Sequence, residues 1–171
     1  TAGHQRRVAD LARVIAVEMR LSHDQIEGLR MAGIIHDLGK ITVPSEILSK
    51  PTRLTELECS LVKTHSEAGF NILKDIEFPW PVARIVLEHH ERINGSGYPY
   101  GKTGDALLTE SKILMVADVV EAMASDRPYR AGLGIGSALD EISRHRGILY
   151  DPEVVDTCLW LFREQNYQFT L

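Results

Sequence analysis

Apolar residues recur along this chain every three or four positions, which is the spacing of a helix with one buried face. The first such run lies between Gln5 and Arg20, and no segment alternates clearly between apolar and polar residues as a half-buried strand would. The pattern therefore predicts one all-α domain of six to eight helices. The helical segments cover residues 5–20, 22–38, 44–50, 55–74, 81–89, 113–124, 135–146 and 152–163.

Several boundaries of these helices carry local signals. Ser22 and Thr55 stand where an N-cap is needed, and Gly39 ends the second helix. Residues 41–44 are expected to be extended. Residues 94–108 contain glycine and proline at a density that predicts a loop. We expect residues 95–101 of that loop to be exposed and mobile, and to help form a surface for a partner or for substrate access.

Composition narrows the possible functions. The chain has 171 residues, a formal net charge of −5 and 44% hydrophobic residues, which suit one globular domain. Its net negative charge argues against sequence-independent binding of long nucleic acids. No apolar run is long enough to cross a bilayer, so no membrane span is expected. Cys59 and Cys158 both lie in apolar patterns, which favours reduced thiols in a cytoplasmic protein.

The beginning of the chain suggests a larger context. Thr1 is not an initiator residue, and the first helical pattern already runs at Gln5. We therefore expect residues 1–171 to form one domain of a longer regulatory protein, with a sensor or receiver domain upstream.

The candidate chemistry starts at the end of the second predicted helix. His36 and Asp37 are adjacent there, and Lys40 follows Asp37 at a spacing that keeps both on one helical face. An imidazole and a carboxylate at a helix end can converge on one cation, and the two oxygens of a carboxylate can bridge two cations. A histidine paired with a surface aspartate is the ordinary alternative for such a dipeptide.

Other histidines and one aspartate strengthen the metal hypothesis. His65 lies among apolar helical positions, and the adjacent pair His89 and His90 ends another helix. Asp118 interrupts a run of apolar residues, where an unpaired carboxylate is costly to bury. His4, in the first helix, is a further candidate. Imidazole mixed with carboxylate, without thiolate, suits iron, manganese, zinc or nickel better than calcium.

This succession of motifs resembles the HD-GYP family, a branch of the HD-domain metal-dependent phosphohydrolases. The resemblance extends from His4 to Tyr150, and its pieces occur in the family's order. They are His36-Asp37-Leu38-Gly39-Lys40, His65 with Gly69, His89-His90-Glu91, Gly95-Ser96-Gly97-Tyr98-Pro99, Asp118 and Ser125-Asp126-Arg127-Pro128-Tyr129-Arg130. Asn94 stands where the family often has an acid, and we expect little effect because a turn residue suffices there.

The resemblance implies a helical bundle around a di- or tri-metal centre that hydrolyses cyclic di-GMP to linear pGpG, and in some members onward to GMP. Lys40 is implied to lie beside the attacking water or the scissile phosphate. Arg127 and Arg130 are implied to contact phosphate, and Tyr98 to contact substrate from the loop that names the family. The implied metal ligands are His4, His36, Asp37, His65, His89, His90 and Asp118.

These residues lead to a metal count and a mechanism. Seven ligands, with Asp37 bridging, suffice for two six-coordinate divalent ions (Fe, Mn, Ni or Zn) and leave positions for water and phosphate oxygens. A third ion is expected only if the parent protein has a glutamate one turn before His4. Paired divalent ions activate water and neutralise phosphate charge, and Lys40, Arg127 and Arg130 would complete that neutralisation.

Two other functions stay open at this point. One is an HD-type hydrolase of a different nucleotide, against which the loop from Gly95 to Pro99 argues. The other is a non-catalytic module that binds a nucleotide or a GGDEF-domain protein, for which the loop would be the contact surface. The intact His36-Asp37 pair favours an enzyme over this second possibility.

Overall fold

The structure is a computed structural model that describes residues 2–126 and 131–170. Its first part contains α1 (Ala2–Glu18), α2 (His23–Ile35), a 3₁₀ helix (Leu38–Thr42), α3 (Ser45–Leu48), α4 (Glu56–Lys63), α5 (His65–Leu73) and α6 (Val82–Glu88). A second 3₁₀ helix (Gly104–Ala106), α7 (Thr109–Ala124), α8 (Ile135–Arg144) and α9 (Pro152–Arg163) follow.

The all-α prediction is confirmed. Only two isolated β-bridges, Asn94 with Thr103 and Arg146 with Tyr150, occur in the described ranges, and no strand does. Thr64 alone separates α4 from α5, so that taking these two as one interrupted helix makes eight α-helices among the described residues. Ser22 and Thr55 each form a capping box, in which the side chain accepts a hydrogen bond from a backbone N–H three residues later.

Several details of the local prediction are wrong. α2 ends at Ile35 and not at Gly39, which lies inside the 3₁₀ helix, and α7 begins at Thr109 and not near residue 113. Residues 41 and 42 continue a 3₁₀ helix instead of being extended, and only Val43 and Pro44 have extended backbone angles. The predicted helix over residues 55–74 is interrupted at Thr64. Because of the interruption, His65 is the first residue of α5. The His65 side chain is buried.

The core lies where α1, α2, α6 and α7 meet. Val8, Leu11 and Ile15 of α1 have no solvent exposure, and α7 is buried over most of its length. α7 contacts α1, α2, α6, α8 and α9, so it runs through the centre of the bundle. All four central helices carry candidate ligands on them or immediately after them.

One close approach fixes the 3₁₀ helix against α5. A Cβ atom placed on Gly39 would lie 1.8 Å from the backbone oxygen of His65 and 2.5 Å from the backbone nitrogen of Gly69. Only glycine allows these two segments to touch, because any side chain would collide with backbone atoms. The contact brings the segment that carries Asp37 and Lys40 beside His65.

Two further findings bear on the composition arguments. No described helix is both long enough and apolar enough to cross a membrane. Cys59 and Cys158 are free thiols, and burial raises the pKa of the Cys158 thiol to about 12. Cys158 is therefore an unreactive core residue, in keeping with its apolar sequence context.

Candidate metal centre

The seven predicted ligands come together at one end of the four central helices. Their nitrogen and oxygen atoms form three overlapping groups, and within each group the atoms lie within 4.8 Å of one another. The groups are His65 with His89 and His90, His36 with Asp37 and His89, and His4 with His36 and Asp118. The shared members His36 and His89 join the three groups into a single cluster.

Three of the histidine rings are oriented by nearby backbone carbonyl groups. Each is fully buried, and in each the Nδ1 atom lies within hydrogen-bond distance of the carbonyl oxygen three residues earlier. If Nδ1 carries the proton and donates it, Nε2 keeps its lone pair and faces the cluster. The pairs are His36 with Gly33 (2.7 Å), His65 with Val62 (2.6 Å) and His89 with Val86 (2.6 Å).

The inward-facing nitrogens have no proton donors among them. Nε2 of His36 is buried without a hydrogen-bond partner in the described part of the chain, and Nε2 of His65 lies 3.4 Å from Nε2 of His89. Burial lowers the pKa of both His65 and His89, and that of His89 falls to about 3. Neutral rings whose lone pairs converge are the arrangement that a divalent cation stabilises.

Asp37 lies between two of these rings. Its Oδ2 is 3.7 Å from Nε2 of His36, and its Oδ1 is 3.6 Å from Nε2 of His65. Lys40 donates a hydrogen bond of 2.7 Å to the same Oδ2. Although burial alone would raise the pKa of Asp37, the charges of His36 and Lys40 outweigh it and hold that pKa below its ordinary value. Each carboxylate oxygen therefore faces a different part of the cluster, as a bridging ligand requires.

His4 is held differently from the other rings. Its Nε2 lies 3.2 Å from Oδ1 of Asp118, and its Nδ1 hydrogen-bonds to the buried carboxylate of Glu121. Arg7 donates to the other oxygen of Glu121 at 2.7 Å. Burial alone would lower the pKa of His4, but its bonds with Asp118 and Glu121 raise it to about 9. A carboxylate behind a ligating histidine is a common arrangement at metal sites.

Sequence reasoning missed Glu121. It follows Asp118 by three residues in the part of α7 from residue 113 onward, which is otherwise apolar, and this spacing puts both acids on one helical face. The same logic that singled out Asp118 would have found it. Burial opposes ionisation of Glu121, yet the bond with His4 and its neighbours lower its pKa to about 2.

The glycine-rich loop packs over the cluster. Tyr98 stacks on His90 with ring centroids 4.9 Å apart and an interplanar angle of 22°. Gly95, Gly97, Tyr98, Pro99 and Gly101 are all partly buried, and only Ser96 and Tyr100 between residues 95 and 101 are exposed. The expectation of an exposed loop is therefore wrong for most of this segment, because its backbone folds back onto the end of α6.

Two described lysines lie beside the loop and the cluster. Lys40 is bonded to Asp37, whereas the ammonium of Lys63 lies 5.4 Å from the centroid of the Tyr98 ring. No carboxylate in the described ranges lies within ion-pair distance of Lys63. Sequence reasoning did not single out Lys63. Arg127 and Arg130, predicted to contact phosphate, lie outside the described residues.

Two buried glutamates flank the histidine pair without facing the cluster. Glu88 and Glu91 have no solvent exposure. The Glu88 carboxylate accepts hydrogen bonds from Arg84, Lys102, Ser111 and the backbone of Leu108. The Glu91 carboxylate accepts two from backbone groups of the loop. Neither is available as a ligand in this arrangement, so the candidate metal donors remain the seven predicted side chains.

The donor set fits divalent transition-metal ions. It combines imidazole nitrogens and carboxylate oxygens without thiolate, and the orphaned Nε2 of His36 lies inside it. With divalent ions bound, such a site can bind a phosphate group and promote attack on it by water.

Several known proteins are similar to this chain in sequence. A family model described as HD domain matches residues 1–154. A cyclic di-GMP phosphodiesterase response regulator of Xanthomonas campestris is 38% identical over 161 residues, which are 93% of this chain and 43% of that protein. A 3'3'-cGAMP-specific phosphodiesterase of Vibrio cholerae is 37% identical over 153 residues, covering 90% of this chain and 33% of that protein.

A solved structure agrees with the fold. An HDG"Y"P protein from Bdellovibrio bacteriovorus superposes with a TM-score of 0.75 at 18% identity, covering 91% of this chain and 50% of that one. At that identity the likeness concerns the fold alone. The chain spans less than half the length of the two curated relatives described above.

Proposed function

The chain belongs to the HD domain family, in its HD-GYP branch, and from that premise we propose that it hydrolyses a phosphodiester bond of cyclic di-GMP with the help of divalent metal ions. One observation carries the proposal. The buried Nε2 atoms of His36, His65 and His89 converge without a proton donor, and Asp37 turns one oxygen toward each of two of them. A purely structural cluster of polar groups would pair donors with acceptors.

The chain's own residues would divide the work as follows. His36, His65, His89 and His90, with the two aspartates, would hold two ions, with Asp37 shared and His4 completing the side near Asp118. When bound, such ions supply Lewis-acid charge to the phosphate and lower the pKa of a water molecule. Lys40, anchored to Asp37 and one third exposed, is placed to neutralise a phosphate oxygen beside the shared carboxylate.

Lys63 extends the positive charge beyond the ligands. Its ammonium lies over Tyr98 and has no carboxylate partner in the described part of the protein, so its charge is free for an anionic substrate. Arg127 and Arg130 remain predicted phosphate contacts. Local cations of this kind reconcile a net charge of −5 with a substrate that carries two phosphates.

The substrate follows from the branch and not from overall identity. The relatives that act on cyclic di-GMP and on 3'3'-cGAMP are 38% and 37% identical, a difference too small to choose between the two. We propose cyclic di-GMP because the motifs from His36 to Arg130 resemble those of the HD-GYP branch. Hydrolysis of 3'3'-cGAMP is the second candidate, and the Vibrio cholerae relative favours it.

The test measures metal content and turnover on the same preparation. The purified chain is analysed for iron, manganese, nickel and zinc, then incubated in parallel with cyclic di-GMP, 3'3'-cGAMP and linear pGpG, and the products are identified by mass. About two ions per chain and a preference for cyclic di-GMP are expected. A chelated sample should lose turnover and recover it on reloading.

The other outcomes separate the alternatives. Binding of cyclic di-GMP without any product, in a metal-loaded sample, would identify a non-catalytic module. Turnover of a different nucleotide alone would identify another HD-type hydrolase. Three full-occupancy ions per chain would contradict the two-ion count. The upstream sensor or receiver domain and the GGDEF-domain partner stay predictions.

A further inference from the structure

We infer that Glu91 is a positioning residue for the metal centre: it anchors the loop whose Tyr98 holds the ring of His90 in place. The inference rests on the proposed metal-dependent function, since it concerns one of that site's ligands. It assigns to Glu91 a role that differs from metal coordination.

The first step is the anchoring of the loop. The Glu91 side chain is fully buried, and its two oxygens accept hydrogen bonds from two different backbone groups. Oε1 accepts from the N–H of Tyr100 at 2.8 Å, and Oε2 accepts from the N–H of Lys102 at 3.0 Å. Hydrogen bonds from backbone N–H to a buried carboxylate are charge-assisted and therefore strong. Glu91 thus holds the far end of the loop against the end of α6.

The second step is the contact between the loop and the histidine pair. A Cβ atom on Gly97 would lie 2.4 Å from the Cα of Glu91, so the loop backbone lies directly against the segment that carries His90. The N–H of Tyr98 donates to the carbonyl oxygen of His90 at 3.1 Å. Between the Gly97 contact and the bonds to Glu91, the position of Tyr98 is determined from both sides.

The third step is the dependence of His90 on Tyr98. His36, His65 and His89 are oriented by carbonyl groups three residues earlier in the chain, and His4 is oriented by Glu121. In the described part of the chain, neither ring nitrogen of His90 has a hydrogen-bond partner. Its ring is flanked by Tyr98 at 4.9 Å and by His89 at 4.0 Å between centroids. The stacked Tyr98 ring therefore substitutes for the hydrogen bond that the other rings have.

A carboxylate is required at position 91 because both partners are donors. Glutamine offers one acceptor oxygen, and its NH₂ group would face the second backbone N–H. Glu91→Gln therefore breaks one of the two anchors while changing the size of the side chain little. Tyr98→Phe preserves the stacking ring, whereas Tyr98→Leu removes it.

The chain provides a matched control. Glu67 also bonds to the loop, accepting a hydrogen bond of 2.8 Å from the hydroxyl of Tyr100, but it lies on the exposed surface. Glu67→Gln makes the same chemical change as Glu91→Gln on a contact with the same loop residue. It touches neither the backbone anchors nor the stack on His90.

The experiment titrates Mn²⁺ into the chelated protein and its variants by calorimetry, and circular dichroism monitors the fold. Glu91→Gln and Tyr98→Leu are expected to weaken one of the two ions at least about tenfold and leave the other close to wild type, since loss of a residue that orients a ligand typically costs 10–100-fold in affinity. Tyr98→Phe and Glu67→Gln are expected to bind both ions as the wild type does.

Each contrary result has its own meaning. If the wild type binds no Mn²⁺, the proposed function fails before this inference is reached. If the wild type binds two ions and Glu91→Gln binds both with unchanged affinity, the inference is overturned. It is also overturned if Glu91→Gln weakens both ions equally, because Glu91 would then act on the fold as a whole and not through His90.

Discussion

Two buried polar clusters lie side by side at the end of α6, and they are built on opposite principles. In the Glu88 cluster every carboxylate oxygen has donors: Arg84 at 2.9 Å and Lys102 at 3.1 Å on Oε1, Ser111 at 2.7 Å and the N–H of Leu108 at 3.1 Å on Oε2. In the adjacent histidine cluster, acceptor atoms face one another. Glu88, whose carboxylate is fully bonded to donors, and His89, whose Nε2 faces another acceptor, are consecutive in the chain.

The comparison shows how a structural cluster can be told from a functional one. Burial alone would raise the pKa of Glu88, but the bonds from Arg84 and its other donors outweigh it and keep the pKa below its ordinary value. The Glu88 cluster is thus stable with the chain's own atoms. In the rings of His65 and His89 each Nδ1 is bonded to a carbonyl oxygen, which leaves the facing Nε2 lone pairs available to a cation.

The largest expected effect comes from removing the shared carboxylate of the histidine cluster. Asp37→Ala should abolish hydrolysis and reduce metal content, because no other side chain among the described residues turns an oxygen toward both His36 and His65. The helical circular dichroism spectrum should be largely unchanged, since the core lies elsewhere. Turnover at the wild-type rate by a folded Asp37→Ala protein would rule out the metal mechanism.

A change of intermediate size tests the cation at the edge of that cluster. Lys40→Ala should lower turnover about a hundredfold, in the range seen when one group that stabilises transition-state charge is removed. Its effect on metal content should be much smaller, because a charged ammonium cannot be a ligand. Metal analysis and single-turnover kinetics on one preparation distinguish the two effects. Loss of metal as complete as in Asp37→Ala would make Lys40 structural.

The smallest of the three effects concerns the Glu88 cluster. It should appear in the stability of the fold and not in metal binding. Glu88→Ala should lower the free energy of unfolding of the chelated protein by about 2 kcal/mol, measured by urea denaturation. The value is below that of a fully buried ion pair because Arg84 and Lys102 are partly exposed and can turn to water. Asp156→Ala, which breaks an exposed pair with Arg146, is the control and should leave the midpoint unchanged.

This third result sharpens the comparison only if metal is measured as well. Addition of Mn²⁺ should stabilise the wild type and the Glu88→Ala variant by similar amounts, because the ion binds the native state of both. If Glu88→Ala instead abolishes the metal-dependent stabilisation, the two clusters form a single unit and the distinction between them fails.

The sequence by itself determined the features that depend on neighbouring residues. Helical periodicity predicted the all-α fold, and polar residues at helix starts predicted the caps at Ser22 and Thr55, because both depend on residues within one or two turns. Five of the seven candidate ligands also stand out locally, as a histidine beside an acid or another histidine, or as a carboxylate beside a histidine or within an apolar run: His36, Asp37, His89, His90 and Asp118. His65 stands out less, among apolar helical positions, and His4 enters the ligand set through the resemblance to the HD-GYP family.

The tertiary structure alone decided how these side chains are held. Glu121 orients His4 across 117 residues of sequence, and the two oxygens of Asp37 face rings from two different helices. The break at Thr64 and the folding of the loop onto Glu91 arise from contacts between segments, and local propensity predicts a longer helix and an exposed loop. A hydrogen bond between residues far apart in the chain produces no local sequence pattern. Its two partners can therefore be identified only from the packing of the helices.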